Sequence, residues 1–488
     1  MDQFKVIVGG KAYRRHKDDG TQSEQLQALF PEEAIEEDQA DTDPDLSDAP
    51  ENPKKTTRVA ARKTSTKTTF DTSQDIALDT TPDVTTSAPD TILAHSNTQS
   101  SFDTLEAFNQ RWAWTNIDLE AIRQNTKNIR RHVGAHVAIM AVVKANGYGH
   151  GAVETAHAAL SSGARYLGVA TVQEGIELRK ANINAPILVL SEPPKETIPY
   201  LLQYNLITTV YSTEFALELG ETADAKGATA PYHLKIDTGM NRVGVHYSDA
   251  GDFLRTIDFH RGLTLQGIFT HFATADSLDT LELRKQLDHF NHARETIRYM
   301  GIKPGIVHAA GSAALIRFRE THFDMVRPGL ALYGLHASDI TRELINLKPA
   351  MSVHARVGFL KPVPVGEGVG YGYTYRSPGN VQIATIPIGY ADGLSRVLSN
   401  RLDVLVNGRV FPQVGAICMD ACMFEVDMRS TPLKPRAEIE VGDEVILVGR
   451  SGALEITLED MARALGTINY DLACRFGMRL ARNYVGKD

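Results

Sequence analysis

Residues 137–151 read Val-Ala-Ile-Met-Ala-Val-Val-Lys-Ala-Asn-Gly-Tyr-Gly-His-Gly. The first half is apolar and rich in Ala, Ile and Val, as in a parallel strand buried on both faces. The second half is polar and Gly-rich, a loop. AVETAHAALSSG follows at 152–163, a helix predicted to stop at Gly163. Lys144 therefore stands where a buried strand ends. Chemistry collects at that end in sheets and barrels of parallel strands. A lone lysine there is normally solvated. Here Asn146, Gly147, Tyr148, Gly149 and His150 follow at once, with glycines where backbone must come close to something. A lysine desolvated in such a pocket has a lowered pKa and can form a Schiff base.

Outward from this stretch the same rhythm recurs. Apolar runs lie at 138–143, 166–170, 186–190, 207–211, 232–237, 265–270, 305–310 and 323–329, most followed by helical patterns. These eight alternating units predict an α/β fold with a closed (β/α)8 barrel of the TIM type. A doubly wound sheet is the runner-up. WAWTNIDL (residues 112–119) alternates like a short strand, and Asp118 is placed to cap the helix after it. Beyond about residue 348 the pattern changes to strands joined by turns, and Asn407-Gly408 between apolar runs signals a hairpin. The expected domains are 1–108, an acidic and Ser/Thr-rich extension, 109–347, the barrel, and 348–488, a β-rich domain. The extension is acidic over 31–48 and basic over 53–69. It buries too little apolar surface to fold and is expected to be disordered, a passive tail rather than an interaction arm.

The 488 residues carry a formal net charge of −9, which argues against nucleic acid as the main partner. Three cysteines, Cys418, Cys422 and Cys474, suit a reducing compartment, and no second Cys/His pair completes a metal site. With neither a secretory signal nor a membrane-length apolar run, a cytoplasmic protein is expected.

Polar groups gather where the barrel strands should end. Lys144 ends the first, Lys235 and Asp237 the fifth, His271 the sixth and Arg327 the eighth, and Ser312 follows the seventh. Singly, Ser312 reads as a helix cap, the arginines as rim ion pairs and His271 as a satisfied histidine. Together they suit an anionic cofactor with a ring to orient, and the backbone N–H groups near Ser312 suit a phosphate.

The run AVVKANGYGHG closely resembles the lysine motif of bacterial alanine racemases, enzymes dependent on pyridoxal 5'-phosphate (PLP). So do HLKIDTGMNRVGV, GIFTHFATAD, HAAGSAA, FDMVRPGLALYG, VGYGYTY, IATIPIGYADG, VGAICMD and GTINYD, in order, over about residues 112–488. The resemblance implies interconversion of L-alanine and D-alanine for peptidoglycan by a homodimer with shared active sites. It implies that Lys144 carries PLP and acts as one base. Tyr371, from the β-domain of the other subunit, is the second. Tyr373 and Tyr375 share its face, so spacing alone does not choose among the three. Also by resemblance, Arg327 faces the pyridine nitrogen and His271 tunes the tyrosine. Tyr148, Ser312, Gly329, Leu330 and Tyr470 bind the phosphate. Arg242 contacts the cofactor and the substrate carboxylate, Met419 contacts that carboxylate, and Lys235 is a site of carbamylation. Tyr390 and Asp276 line the approach.

Some positions depart from the commonest pattern. Gly311 stands where an asparagine often precedes the serine, Ala416 replaces a frequent arginine, and Leu330 and Pro328 vary. These bear on the entrance and turnover. The rival readings are a racemase for serine, a barrel decarboxylase and a non-catalytic PLP carrier. Tyr470, Arg327 and the β-rich domain with Tyr371 argue against each in turn.

Overall fold

In a computed structural model of the chain, residues 5–8, 11–14, 27–28, 111–428, 438–477 and 479–486 are described. The first long element, β1 (Ala113–Asp118), alternates buried and half-buried residues, the mark of a sheet packed on one face. The Asp118 side chain accepts the Ala121 N–H at 2.9 Å and starts α1 (Leu119–Val133), whose Ile122, Ile129 and Val133 face the core.

Eight parallel strands then form a ring. They are β2 (Ala138–Val142), β3 (Tyr166–Val169), β4 (Ile187–Val189), β5 (Thr208–Val210), β6 (Ala230–Asp237), β7 (Leu263–Phe269), β8 (Ile306–His308) and β9 (Met325–Val326). Each pairs with the next, and β9 returns to β2 through Met325 opposite Ala138. The β4–β5 contact is a single bridge, Leu188 to Ile207. All eight strands expected from the sequence are present, and the return to β2 sets aside the open doubly wound sheet.

Period-two alternation sorts their side chains. Ile139 and Ala141 pack outward into the main core, while Met140, Leu188, Ile207 and Met325 form a separate buried cluster. On β6, Leu234 and Ile236 join the outer core, so His233 and Lys235 point the other way. The barrel is thus apolar at one level and polar towards the strand ends.

Besides the two-residue pair Gly368–Val369 and Tyr375–Arg376, the C-terminal strands are β10 (Met351–Arg356), β11 (Phe359–Val363), β12 (Val381–Ile386), β13 (Asp403–Val406), β14 (Arg409–Val414), β15 (Cys422–Asp427), β16 (Glu444–Ser451), β17 (Leu454–Ile456) and β18 (Ala481–Val485). The segment MSVHARVGFLKPV holds two of them, β10 and β11. Asn407 and Gly408 turn the β13–β14 hairpin with φ of 49° and 72°, both left-handed as the expected two-residue loop requires. The last segment of the chain holds a helix (Asn469–Arg475) and β18. β1 lies between β10 and β18, so its hydrogen bonds are with C-terminal strands and not with the ring. Its alternating pattern, unlike the continuous apolar runs of the ring strands, carries that distinction.

Short strands also occur at Lys5–Val8, Lys11–Arg14 and Gln27–Ala28, and Lys5 pairs with Leu454. The remainder of the 1–108 extension, expected to be disordered, lies outside the described residues.

Asn125 of α1 ties these parts together from a fully buried position. Its amide donates to the Leu332 and Lys348 carbonyls at 3.1 and 2.8 Å and accepts the Lys348 N–H at 2.8 Å. Asn125→Ala orphans three backbone groups. It is expected to destabilise the protein by about 3 kcal/mol, read as a lower urea midpoint with an unchanged far-ultraviolet spectrum.

Candidate functional site

At the C-terminal ends of the ring strands lies a cavity of about 700 Å³. Its walls include Lys144, Tyr148, Lys235, Arg242, His271, Asp276, Ser312, Arg327, Gly329, Leu330 and Tyr470. Most of the residues singled out in the sequence therefore meet in one place. Tyr371, Met419 and Tyr390 do not line it. They are 68%, 52% and 39% exposed, in turns and loops between the C-terminal strands, and Tyr371 borders a second cavity with Phe359, Val369 and Met423.

Lys144 follows β2 and opens an unusual turn. Ala145, Asn146 and Tyr148 have φ of 52°, 50° and 52°, and Gly147 and Gly149 are also left-handed. Such a turn costs an L-residue about 1–2 kcal/mol at each position. Hydrogen bonds offset this. The Ala145 N–H donates to Glu174 Oε1 at 2.7 Å and the Ala152 N–H to Asn146 Oδ1 at 2.9 Å. Arg482 Nε donates to the Gly149 carbonyl at 2.8 Å. Burial, and next the Arg242 charge, lowers the Lys144 pKa, opposed by Glu174 and Cys474.

Arg327 is buried and held by four acceptors. Its Nη1 donates to His308 Nδ1 at 2.8 Å. Its Nη2 is shared among His271 Nδ1 at 3.0 Å and the Thr270 and Ala309 carbonyls at 2.7 and 2.8 Å. A guanidinium offers only donors, so it fixes the histidine tautomers. His308 Nδ1 and His271 Nδ1 must be acceptors, and both rings carry hydrogen on Nε2. His308 Nε2–H then donates to His233 Nδ1, 2.8 Å away. Burial lowers the Arg327 pKa to about 9, which leaves it charged at neutral pH.

Lys235 is 5% exposed, with its ammonium 4.9 Å from the centre of the Phe269 ring. Burial, then the Arg327 and Arg242 charges, holds its pKa well below the usual lysine range. Ser312 Oγ accepts the Gly329 and Ala331 N–H groups at 3.0 and 3.2 Å. A Cβ on Gly329 would stand 2.5 Å from the Tyr148 hydroxyl, so glycine is required for that approach. Burial, and then Asp276, raises the Tyr470 pKa to about 12.

The walls carry four cationic side chains, Lys144, Lys235, Arg242 and Arg327, against one carboxylate, Asp276. The cavity is therefore built for an anion. The residues fit PLP: a desolvated lysine for its aldehyde, a Ser312–Gly329–Tyr148 corner for its phosphate, and a fixed cation, Arg327. Among the described residues no group of His, Cys, Asp and Glu has a metal-binding arrangement, and no helix is long and apolar enough to cross a membrane.

Sequence reading missed Glu174, His233 and His308. Thr171-x-x-Glu174 is a capping-box signature and was available. His233 lies two residues from Lys235, on the same strand face. His308 opens the quoted HAAGSAA.

The family described as alanine racemase, N-terminal domain, matches residues 117–337, and alanine racemase, C-terminal domain, matches 350–484. The alanine racemase of Desulforamulus reducens is 43% identical over 375 residues, covering 76% of this chain and 99% of the relative. That of Carboxydothermus hydrogenoformans is 42% identical over 376 residues, covering 77% and 100%. Among solved structures, the alanine racemase from Bacillus anthracis with bound L-Ala-P is similar at 38% identity. Its TM-score is 0.72, with 77% of this chain and 95% of that chain covered.

Burial lowers the pKa of His150 to about 4 and of His233 to about 3, and holds His271 and His308 well below the usual value of 6.5. All four stay neutral in the folded chain while their unfolded counterparts take up protons below 6.5. The unfolded state binds more protons, so stability falls as pH drops. Urea midpoints measured from pH 7 to pH 5 are expected to decrease, with a slope approaching about 1.4 kcal/mol per pH unit for each histidine.

Proposed function

The chain belongs to the alanine racemase family of isomerases, and from that premise we propose that it exchanges L- and D-alanine with PLP by two bases, Lys144 and Tyr371. The observation that carries this reading is the four-cation cavity with a desolvated lysine in its wall. Bound there, the cofactor supplies an electron sink that makes the substrate Cα–H acidic.

The chain's own residues then have distinct tasks. Lys144 Nζ would hold the cofactor's aldehyde carbon and would take or return the Cα proton on one face. Tyr148, Ser312, Gly329, Leu330 and Tyr470 would hold the phosphate. Arg327 would meet the pyridine nitrogen as a cation that keeps its own proton, because an arginine does not release one in practice. Arg242, with Met419 from the second subunit, receives the substrate carboxylate. A carbamate on Lys235, formed from the neutral amine and carbon dioxide with loss of a proton, would place an anion between Arg242 and Arg327. The depressed pKa favours that amine.

The second face needs a base from elsewhere. Tyr371 is exposed and lies outside the Lys144 cavity of its own chain. In a homodimer with shared sites the partner subunit's Tyr371 would serve. His271, whose Nε2 carries the hydrogen, would donate to that phenolic oxygen and favour its anion. The D-alanine would supply peptidoglycan from the cytoplasm, a compartment that suits three free cysteines.

Circular dichroism of the purified protein with L-alanine, then with D-alanine, is expected to decay to zero from both sides, and Lys144→Ala is expected to abolish decay. Decay with serine but not alanine would redirect the substrate assignment. Equal mixing of Lys144→Ala and Tyr371→Phe chains, each inactive, tests the shared site. Half the dimers would be mixed and one site in each intact, so about a quarter of the wild-type rate should return. No recovery after verified exchange would place both bases in one chain.

A further inference from the structure

We propose that Glu174 is a positioning residue for Lys144: its carboxylate pins the left-handed turn that starts at Ala145 and so fixes the lysine in the cavity wall. This rests on the reading of Lys144 as the cofactor-bearing base.

Glu174 belongs to the helix Val172–Lys180, which follows β3, the strand next to β2. Its side chain does two jobs. Oε2 accepts the Ala170 and Thr171 N–H groups at 2.7 and 3.2 Å, closing the capping box with Thr171. Oε1 reaches across to the next β/α unit and accepts the Ala145 N–H at 2.7 Å. Capping a helix does not require that second contact.

The contact falls where the backbone needs it. Ala145 directly follows Lys144 and is the first of three non-glycine residues with positive φ. A conformation this unfavourable for L-residues persists only when its surroundings hold it. Asn146 and Arg482 tie the later part of the turn, at Ala152 and Gly149. Glu174 ties its beginning. A carboxylate suits the task, because three N–H groups converge on two oxygens and all of them donate.

Charge adds to the geometry. Around Lys144 the structure arranges Arg242 from the loop after β6, His271 after β7, Cys474 from the helix Asn469–Arg475, and Glu174. Glu174 opposes the effect of Arg242.

A glutamine at 174 keeps the shape but turns one acceptor into a donor facing an N–H. Thr171→Ala breaks the cap, where Thr171 Oγ1 accepts the Glu174 N–H at 3.2 Å, and leaves the Ala145 contact in place. The two variants therefore separate positioning from capping. The test is hydrogen–deuterium exchange of the full-length protein, read on the peptide 143–150, together with kcat and KM for alanine. For Glu174→Gln we expect about tenfold faster exchange at the Ala145 amide. We also expect kcat about 10- to 100-fold lower, with KM changed far less. Thr171→Ala should lower the thermal midpoint while leaving both readouts near wild type. If Glu174→Gln does not fold, Glu174→Asp, one methylene too short to span both sides, takes its place. An Ala145 amide that stays protected, with kcat matching that of Thr171→Ala, would overturn the proposal. Should the wild-type protein not turn over alanine, the functional reading fails, while the exchange comparison still decides the role of Glu174.

Discussion

Arg327 puts a permanent positive charge inside the barrel, and the site is arranged around satisfying it. A guanidinium can only donate, so every neighbour must accept. Two strand-end carbonyls do so, at Thr270 and Ala309, together with the Nδ1 atoms of His271 and His308. Burying an unpaired charge is far more costly than burying a hydrogen-bonded one. The acceptors are therefore not interchangeable with apolar residues, although they sit in an apolar barrel. Their tautomers follow from the same fact, since each histidine that accepts on Nδ1 must present hydrogen on Nε2. His271 then offers a donor, and His308 hands its own on to His233. One side chain thus sets the hydrogen-bond polarity of three rings without any proton moving.

The rest of the cavity extends that constraint. Lys144, Lys235 and Arg242 join Arg327 in the walls, with Asp276 as the acidic counterweight. Burial first, and then the neighbouring arginine charges, makes the lysines hold their protons less tightly. Burial lowers Arg327 as well, to about 9, but from so high a starting value that it keeps its charge at neutral pH. Lysines that give up their protons more readily and a pocket that suits an anion therefore belong to one buried cluster of cations.

The sequence made the barrel legible because its strands are buried on both faces and read as unbroken apolar runs. It made the hairpin at Asn407-Gly408 legible because few other pairs tolerate two left-handed residues. It also exposed Lys144, Lys235 and Arg327, because each falls at or near a strand end. What it hid were features that depend on pairing at long range. β1 looks like any short strand, and only its bonds to β10 and β18 assign it to the C-terminal sheet. The final segment hid its strand for the same reason, as β18 has β1 for a partner and β1 lies more than three hundred residues away. The left-handed turn was half visible. Gly147 and Gly149 announce it, but Ala145, Asn146 and Tyr148 give no sign of adopting the same conformation.

That turn shows why motif and mechanism have to be read separately. Lys-Ala-Asn-Gly-Tyr-Gly is compatible with several loops, and nothing local requires Ala145 to be left-handed. The conformation is imposed from the neighbouring unit by the Glu174 carboxylate, from the C-terminal strand by Arg482, and from within by Asn146. Of these, Arg482 belongs to β18, the strand that also holds β1 in the C-terminal sheet. The backbone that presents Lys144 is therefore secured from the second sheet as well as from the barrel. A loosening of β18 would reach the lysine through the Gly149 carbonyl, and the barrel alone does not supply the full set of constraints on Lys144.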